Sequence, residues 1–227
     1  WAAQLRAAGG EEAEKMAAEK GLCFGGTGAK IRPITACKGT TCVYGNFDTQ
    51  ALAEKLFQNY YLGWEQVKLP NKFKIGVGGC PNSCMKPSLN DFGIEGHRFP
   101  VYNSEYCKGC SICAVERHCP SKVVEKTSDG KIAIDKNNCL TCGVCTGKCP
   151  FNAFAKEVPV QYKIFVGGTW GRKTRNGTPL SRMVSYEEIF RILEKTILWY
   201  KENAYLKERL GAAIDRIGIE HFEKEVW

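Results

Sequence analysis

Thirteen of the 227 residues are cysteine, and most stand three to six residues from the next. Residues 107 to 120 read CKGCSICAVERHCP and residues 139 to 150 read CLTCGVCTGKCP. Two further pairs stand in separate glycine-containing stretches, Cys37 and Cys42 in ACKGTTC and Cys80 and Cys84 in GGCPNSC. Thiols at such spacing either form disulfides in a small secreted domain or hold metal in a reducing compartment. The opening WAAQLRAAGGEEAEK carries acidic residues where a secretion leader would have an apolar run. The metal reading is therefore preferred, and with it a cytoplasmic metalloprotein of an anaerobic metabolism. The chain lacks an initiator Met, as expected of a processed or truncated form of something longer.

The two longer stretches are a repeat. Cys107, Cys110 and Cys113 recur as Cys139, Cys142 and Cys145, and each trio is followed by one more cysteine and a proline, Cys119-Pro120 and Cys149-Pro150. The run C-x2-C-x2-C-x3-C-P marks the bacterial two-cluster ferredoxin, whose fourth cysteine ligates the other cluster. Cys107, Cys110, Cys113 and Cys149 are thus assigned to one 4Fe-4S cluster, and Cys139, Cys142, Cys145 and Cys119 to a second. Three thiolates at i, i+3 and i+6 wrap a tight loop around one cube. Zinc also takes C-x2-C pairs, but it needs neither the third cysteine nor the Cys-Pro. Between the repeats, VVEKTSDGKIAID predicts a hairpin turning at Asp129-Gly130.

Cys37, Cys42, Cys80 and Cys84 then form a further four-thiolate set, with Gly39, Gly78 and Gly79 allowing backbone to approach a bulky inorganic core. Cys23 in GLCFGG is left over and reads as a buried structural thiol. The order of motifs resembles the siroheme and 4Fe-4S repeat of sulfite and nitrite reductases, of the anaerobic and dissimilatory types with an inserted ferredoxin domain. The resemblance covers roughly residues 25 to 225. It implies that Cys37, Cys42, Cys80 and Cys84 hold a third 4Fe-4S cluster, with Cys84 bridging to siroheme iron. The family's first pair is spaced C-x5-C, whereas here it is C-x4-C.

Other stretches extend the resemblance. KIRPITAC resembles the arginine-bearing strand before the first pair and implies that Arg32 faces a bound anion. LPNKFKIGVGG resembles the substrate-lysine strand and implies the same of Lys72 and Lys74. Independently, Lys72 and Lys74 alternate with Phe73, Ile75 and Val77, so a strand would set both lysines opposite an apolar face. YKIFVGGTWGRKTRNGTPL resembles the returning strand and glycine-rich loop at the cofactor. It implies siroheme contacts from Gly167, Gly168, Arg172 and Arg175, while Asn82 would face the macrocycle.

The elements that must position these residues are legible in outline. Helices are predicted over WAAQLRAA and EEAEKMAAEK, the second ending at Gly21, and over TQALAEKLFQNYY with Asp48 as N-cap. Strands are predicted over 72–78 and 162–166. Ser185 with Glu188 forms a capping box for a long helix whose buried stripe is Ile189, Leu193, Ile197 and Leu198, and a short helical piece follows Gly211. His97 in a polar loop, His118 and His221 read as structural or exposed, without hydrolytic-metal spacing. The fold class expected is α+β, a sulfite reductase-like α/β domain (1–100 and 158–227) carrying an inserted two-cluster ferredoxin domain at 101–157.

The net charge of +8 would suggest nucleic acid. However, the basic residues are scattered, and three clusters at roughly two negative charges each would offset most of it. No run of eighteen apolar residues exists, so no membrane span is expected. The function expected is six-electron reduction of sulfite to sulfide, or nitrite to ammonia, using three 4Fe-4S clusters and siroheme. An electron-donor protein or subunit would supply it, in a homodimer or hetero-oligomer. The competing reading is a non-catalytic three-cluster electron-transfer protein without siroheme.

Overall fold

A computed structural model describes residues 10–21, 27–64 and 66–227. The helix expected over WAAQLRAA and the thiol of Cys23 lie outside the described residues. Five strands form one mixed sheet and neighbour one another in the order given: β1 (Thr35–Ala36), β2 (Ile75–Gly78), β3 (Phe92–His97), β6 (Gln161–Val166) and β7 (Thr178–Pro179). The first three run parallel, and β6 and β7 pair antiparallel. The strand expected over 72–78 is regular only from Ile75, preceded by a single parallel bridge between Phe73 and Ile31.

Alternation along β2 and β3 divides the sheet into two faces. Phe73, Ile75 and Val77 with Phe92 and Ile94 are fully buried and belong to the main core, which the helices cover. These helices are α2 (Thr49–Leu56), α4 (Tyr186–Asn203), α5 (Leu210–Ile217) and α6 (Ile219–Val226), while α1 (Gly10–Ala18) precedes the sheet in the chain. The Asp48 side chain accepts from the Ala51 amide and caps α2, which continues into a wider π-helical turn at Phe57–Leu62. The capping box of Ser185 and Glu188 starts α4. Its buried residues are Ile189, Ile192, Leu193, Thr196, Ile197, Trp199 and Tyr200, the aliphatic members each contributing about 1.5–3 kcal/mol of transfer free energy. Leu198, expected among them, is 43% exposed. One residue on from Ile197 it has turned about 100° and left the core face, to which Tyr200 returns. Gly211 lies inside α5 rather than before it, and two helices, not one, close the chain.

Residues 98–160 leave the sheet between β3 and β6. The way out and the way back are paired: Asn103 N–H donates to the Ala153 carbonyl at 2.8 Å, and Ala155 N–H to Val101 at 3.0 Å. This segment holds a short helix α3 (Ala114–His118) and a hairpin of β4 (Val124–Lys126) and β5 (Ile132–Ile134). Its own small core joins Val115, Val123, Val124, Ile132 and Phe154, with six of its cysteines packed against it.

Candidate metal centres and a cationic sheet face

Parallel pairing brings the two cysteine pairs together. Because Ala36 lies beside Val77, the chain leaves β1 and β2 at the same edge. Cys37 N–H donates to the Val77 carbonyl at 3.0 Å, and Gly79 N–H donates to the Cys37 sulfur at 3.1 Å. The Cys37 carbonyl accepts from Thr49 Oγ1 at 2.7 Å and from Gln50 Nε2 at 2.9 Å, so the start of α2 fixes this first thiol. Cys37, Cys42, Cys80 and Cys84 line one cavity with Gly39, Gly79, Tyr44, Asn82 and Met85. Burial raises the Cys80 thiol pKa, and the charges of Cys37, Cys42 and Cys84 push it the same way.

Cys84 is the exposed member of the set. It sits in a chain of tight turns where Ser83 and Lys86, neither a glycine, both have φ near +52°, a conformation costing of order 1 kcal/mol or more each. Asn82 is exposed beside it.

Among the described residues the other eight cysteines line two further cavities. Cys107, Cys110, Cys113 and Cys149 surround one, with Ile112, Phe151 and Phe154. Cys119, Cys139, Cys142 and Cys145 surround the other, with Arg98, Val123 and Ile134. Burial pushes the Cys145 thiol up to about 11, and Cys142, Cys139 and Cys119 add to the shift. Among the described residues no three of His, Cys, Asp and Glu converge closely enough for a single metal ion. The thiols stand around cavities instead, a donor set that fits a thiolate-held cluster better than a lone zinc. Cys80, Cys139 and Cys145 thus resist ionising while Cys107 and Cys119 are shifted the other way, and a coordinating thiol is deprotonated outright.

The second of these sets abuts the first pair. Arg98 N–H donates to Thr141 at 2.8 Å, and Arg98 Nη2 to the Asn46 carbonyl at 2.7 Å. Asn46 N–H donates to the Gly79 carbonyl at 3.0 Å, and its side-chain amide to Gly96 at 3.0 Å. The loop carrying Cys142 is thereby tied to residues next to Cys42 and Cys80. His97, expected in a polar loop, ends β3 and is 5% exposed. Its ring lies 3.1 Å from Glu95 Oε1 and 2.6 Å from Thr141 Oγ1, a structural clasp between the sheet and that loop. Around the other set, Lys131 Nζ donates to the Cys107 carbonyl at 2.7 Å and Lys126 Nζ to the Cys110 carbonyl at 2.8 Å.

Arg32, Lys72 and Lys74 occupy the sheet face opposite the helices. Ile31 pairs with Phe73 on the core side, so Arg32 alternates to the side of Lys72 and Lys74. Among the described residues the buried Arg32 Nε has no hydrogen-bond partner. The pKa of Lys72 is lowered by Arg209 first, then by burial and by Lys74 and Arg32, with Asp91 opposing. The four cations therefore form one group. Arg209 and Asp91 escaped sequence reading; the lone acid entering an apolar strand at Asp91 was the one available hint.

The glycine-rich loop is committed largely to the protein itself. A Cβ on Gly168 would meet the Ser88 carbonyl oxygen at 2.1 Å, and one on Gly167 the Gly211 Cα at 2.7 Å. Arg175 spends its guanidinium on Asp215, at 2.7 and 2.9 Å, and on the Gly167 carbonyl at 3.1 Å. Arg172 is exposed in the same loop. The structure thus brings Asn82 to the cavity of Cys84 and sets Arg175 apart as a brace for the loop.

Comparison with known proteins agrees with this architecture. The family model for the nitrite and sulphite reductase 4Fe-4S domain matches residues 27–227. The coenzyme F420-dependent sulfite reductase of Methanocaldococcus jannaschii is 34% identical over 211 residues, which are 92% of this chain and 33% of that protein. An uncharacterized protein of the same archaeon is 32% identical over 216 residues, 95% of this chain and 73% of its own. Among solved structures, dissimilatory sulfite reductase I aligns with a TM-score of 0.72 at 24% identity, over 95% of this chain and 57% of that one. The chain spans a third of the F420-dependent relative and just over half of the solved one. With thiol pairs at the ends of parallel strands and a matching model over residues 27–227, the chain belongs to the nitrite and sulphite reductase 4Fe-4S domain family.

Proposed function

We propose that this chain is the cluster-bearing part of a reductase that delivers electrons singly to a small oxyanion, sulfite or nitrite. Cys107, Cys110, Cys113 and Cys149 would hold a first cluster, able to accept electrons singly from a donor protein or subunit. Cys119, Cys139, Cys142 and Cys145 would hold a second and Cys37, Cys42, Cys80 and Cys84 a third, which would supply the onward one-electron chemistry. The observation that carries this reading is the presence of three four-thiol cavities, the second tied to the third through Arg98 and Asn46. Siroheme, when bound, supplies the iron at which the substrate atom is reduced. Cys84, the exposed thiol of its set, would hold that group together with Asn82 in the same cavity. Arg172, Gly167 and Gly168 would meet its carboxylates, with Arg175 holding their loop in shape.

Arg32, Lys72 and Lys74 attract the substrate anion and stabilise the charge that develops as its oxygens leave. Lys74 and Lys72 precede Cys80 by six and eight residues, about 20–26 Å of extended chain. That separation supports completion of the site by a second copy or a homologous subunit, each contributing cations toward the other's cofactor. Among the described residues no helix is long and apolar enough to cross a membrane, and the proposed compartment is the cytoplasm.

An anaerobic absorption spectrum with an iron count tests the proposal. Siroheme bands and roughly thirteen irons per chain, three four-iron clusters and one haem-type iron, are expected, together with sulfide formation from sulfite. Cluster absorbance alone would overturn it in favour of an electron-transfer protein.

A further inference from the structure

We propose that Arg209 is a fourth anion-binding residue of the substrate site, held in place by the buried carboxylate of Asp91. This deepens the anion-site reading above and rests on it. Asp91 has no exposed surface. Its carboxylate accepts from Arg209 Nη2 at 2.7 and 2.9 Å, from Arg209 Nε at 3.3 Å, and from the Lys74 backbone amide at 2.9 Å. One carboxylate therefore fixes both the strand that carries Lys74 and the guanidinium that stands beside Lys72.

That pairing uses the Nε and Nη2 edge of the fork. Among the described residues Nη1 makes no hydrogen bond, and the side chain is 21% exposed. The segment bearing Arg209 is docked against the base of β2: Lys207 N–H donates to the Pro70 carbonyl at 2.9 Å, Asn71 Nδ2 to Lys207 at 2.7 Å, and Tyr200 hydroxyl to Glu208 at 2.6 Å. The adjacent carboxylate cannot neutralise the group, because Glu208 is engaged by Arg216 at 2.8 and 3.1 Å and by the Tyr205 amide at 2.8 Å. Four cations, Arg32, Lys72, Lys74 and Arg209, thus face one carboxylate already in use. The excess positive charge and the free Nη1 edge suit a compact oxyanion, which a guanidinium can hold with paired N–H donors.

The test is calorimetric titration of the anaerobic holoprotein with sulfite and with inorganic phosphate. Arg209→Met alone strands a buried carboxylate, so the informative variant is Asp91→Asn with Arg209→Met, which removes both charges together. It is expected to bind either anion about tenfold more weakly, the scale of one lost charge-assisted hydrogen bond. Arg209→Lys is expected to recover part of the loss. The alkaline limb of binding should also move to higher pH in the double variant. Of the groups facing Lys72 (Arg209, Lys74, Arg32 and Asp91), the one that repels its ammonium most would be gone. Binding of both anions within about twofold of the parent, with an unmoved alkaline limb, would overturn the proposal. Replacement of Lys72 and Lys74 by Ala separates the two levels. Loss of binding there with none at Arg209 sinks only this inference, and no loss in either sinks the anion site itself.

Discussion

Gly79→Ala is expected to empty one metal centre while sparing the other two. Gly79 does not use a left-handed backbone, so alanine brings no conformational strain, only volume. Its Cβ would stand 3.0 Å from Gly39 Cα, 3.2 Å from Thr49 Cγ2 and 3.3 Å from the Cys37 sulfur. Each contact is a few tenths of an ångström too short, and inserting one carbon into such packing costs about 1–3 kcal/mol. Relief comes from parting the loops that follow β1 and β2. That movement stretches the Gly79 N–H bond to the Cys37 sulfur, 3.1 Å in the native fold, and spreads Cys37 from Cys80. For a chain of this size about 2 kcal/mol lowers the midpoint of unfolding by about 4–8 °C. In the proposed reading roughly four of about twelve cluster irons are lost. The assay is anaerobic iron analysis with electron paramagnetic resonance of the reduced protein, beside a thermal scan. Full iron content with a midpoint moved by less than about 1 °C would refute the idea that close backbone approach holds the two cysteine pairs together.

Further outcomes follow from the same geometry. Cys119→Ser should abolish the centre of Cys139, Cys142 and Cys145, and leave that of Cys107, Cys110, Cys113 and Cys149 intact; loss of the latter signal instead would mean the fourth cysteines do not cross over. Lys126→Gln with Lys131→Gln removes two ammonium groups bonded to the Cys107 and Cys110 carbonyls. A redox titration should find that cluster harder to reduce and its neighbour unmoved, since local charge sets cluster potentials. The Arg182 hydrogen bond, with the Ser185 amide, lowers the Glu188 carboxyl to about 2 from an ordinary 4.5. Its folded pKa lies below the unfolded one, so its stabilisation is present above about pH 4.5 and is lost as pH falls toward about 2. Glu188→Gln should flatten stability across that window by less than about 1 kcal/mol, because the pair is solvent-screened. Acid unfolding curves that superpose would dismiss the effect.

What could be read from sequence was what is local. Asp48 and the Ser185–Glu188 box cap their helices through residues three apart, and each cysteine trio lies within seven residues, so spacing alone carried the information. His97 was misplaced because FGIEGHR, with its two glycines, lacks the β-branched run of a strand. The strand's extended form comes from pairing with β2 over Phe92–Glu95 and with β6 as far as His97. Leu198 was misjudged because spacing gives a helix face but not its width, which the packing of α6 decides. Asp91 and Arg209 are 118 residues apart; no pattern in the chain announces a contact made only by the folded sheet.

The paired neck at Val101–Asn103 and Ala153–Ala155 has a consequence for descent. β3 and β6 match over six residue pairs, from Phe92–Val166 to His97–Gln161, a register that a turn of about four residues could equally close. Opening that turn to about sixty residues is about four doublings of loop length, roughly 2.4 kcal/mol of closure entropy. The neck recovers part of it by bringing the ends of the segment back to one point, and the segment packs on a core of its own. A cysteine-rich block attached in this way can be grafted or excised between ancestors without re-registering a single host strand. Among the described residues its ties to the host include the clasp of His97, Arg98 and Asn46 with the loop at Thr141, a patch that a newly acquired block would need to fit.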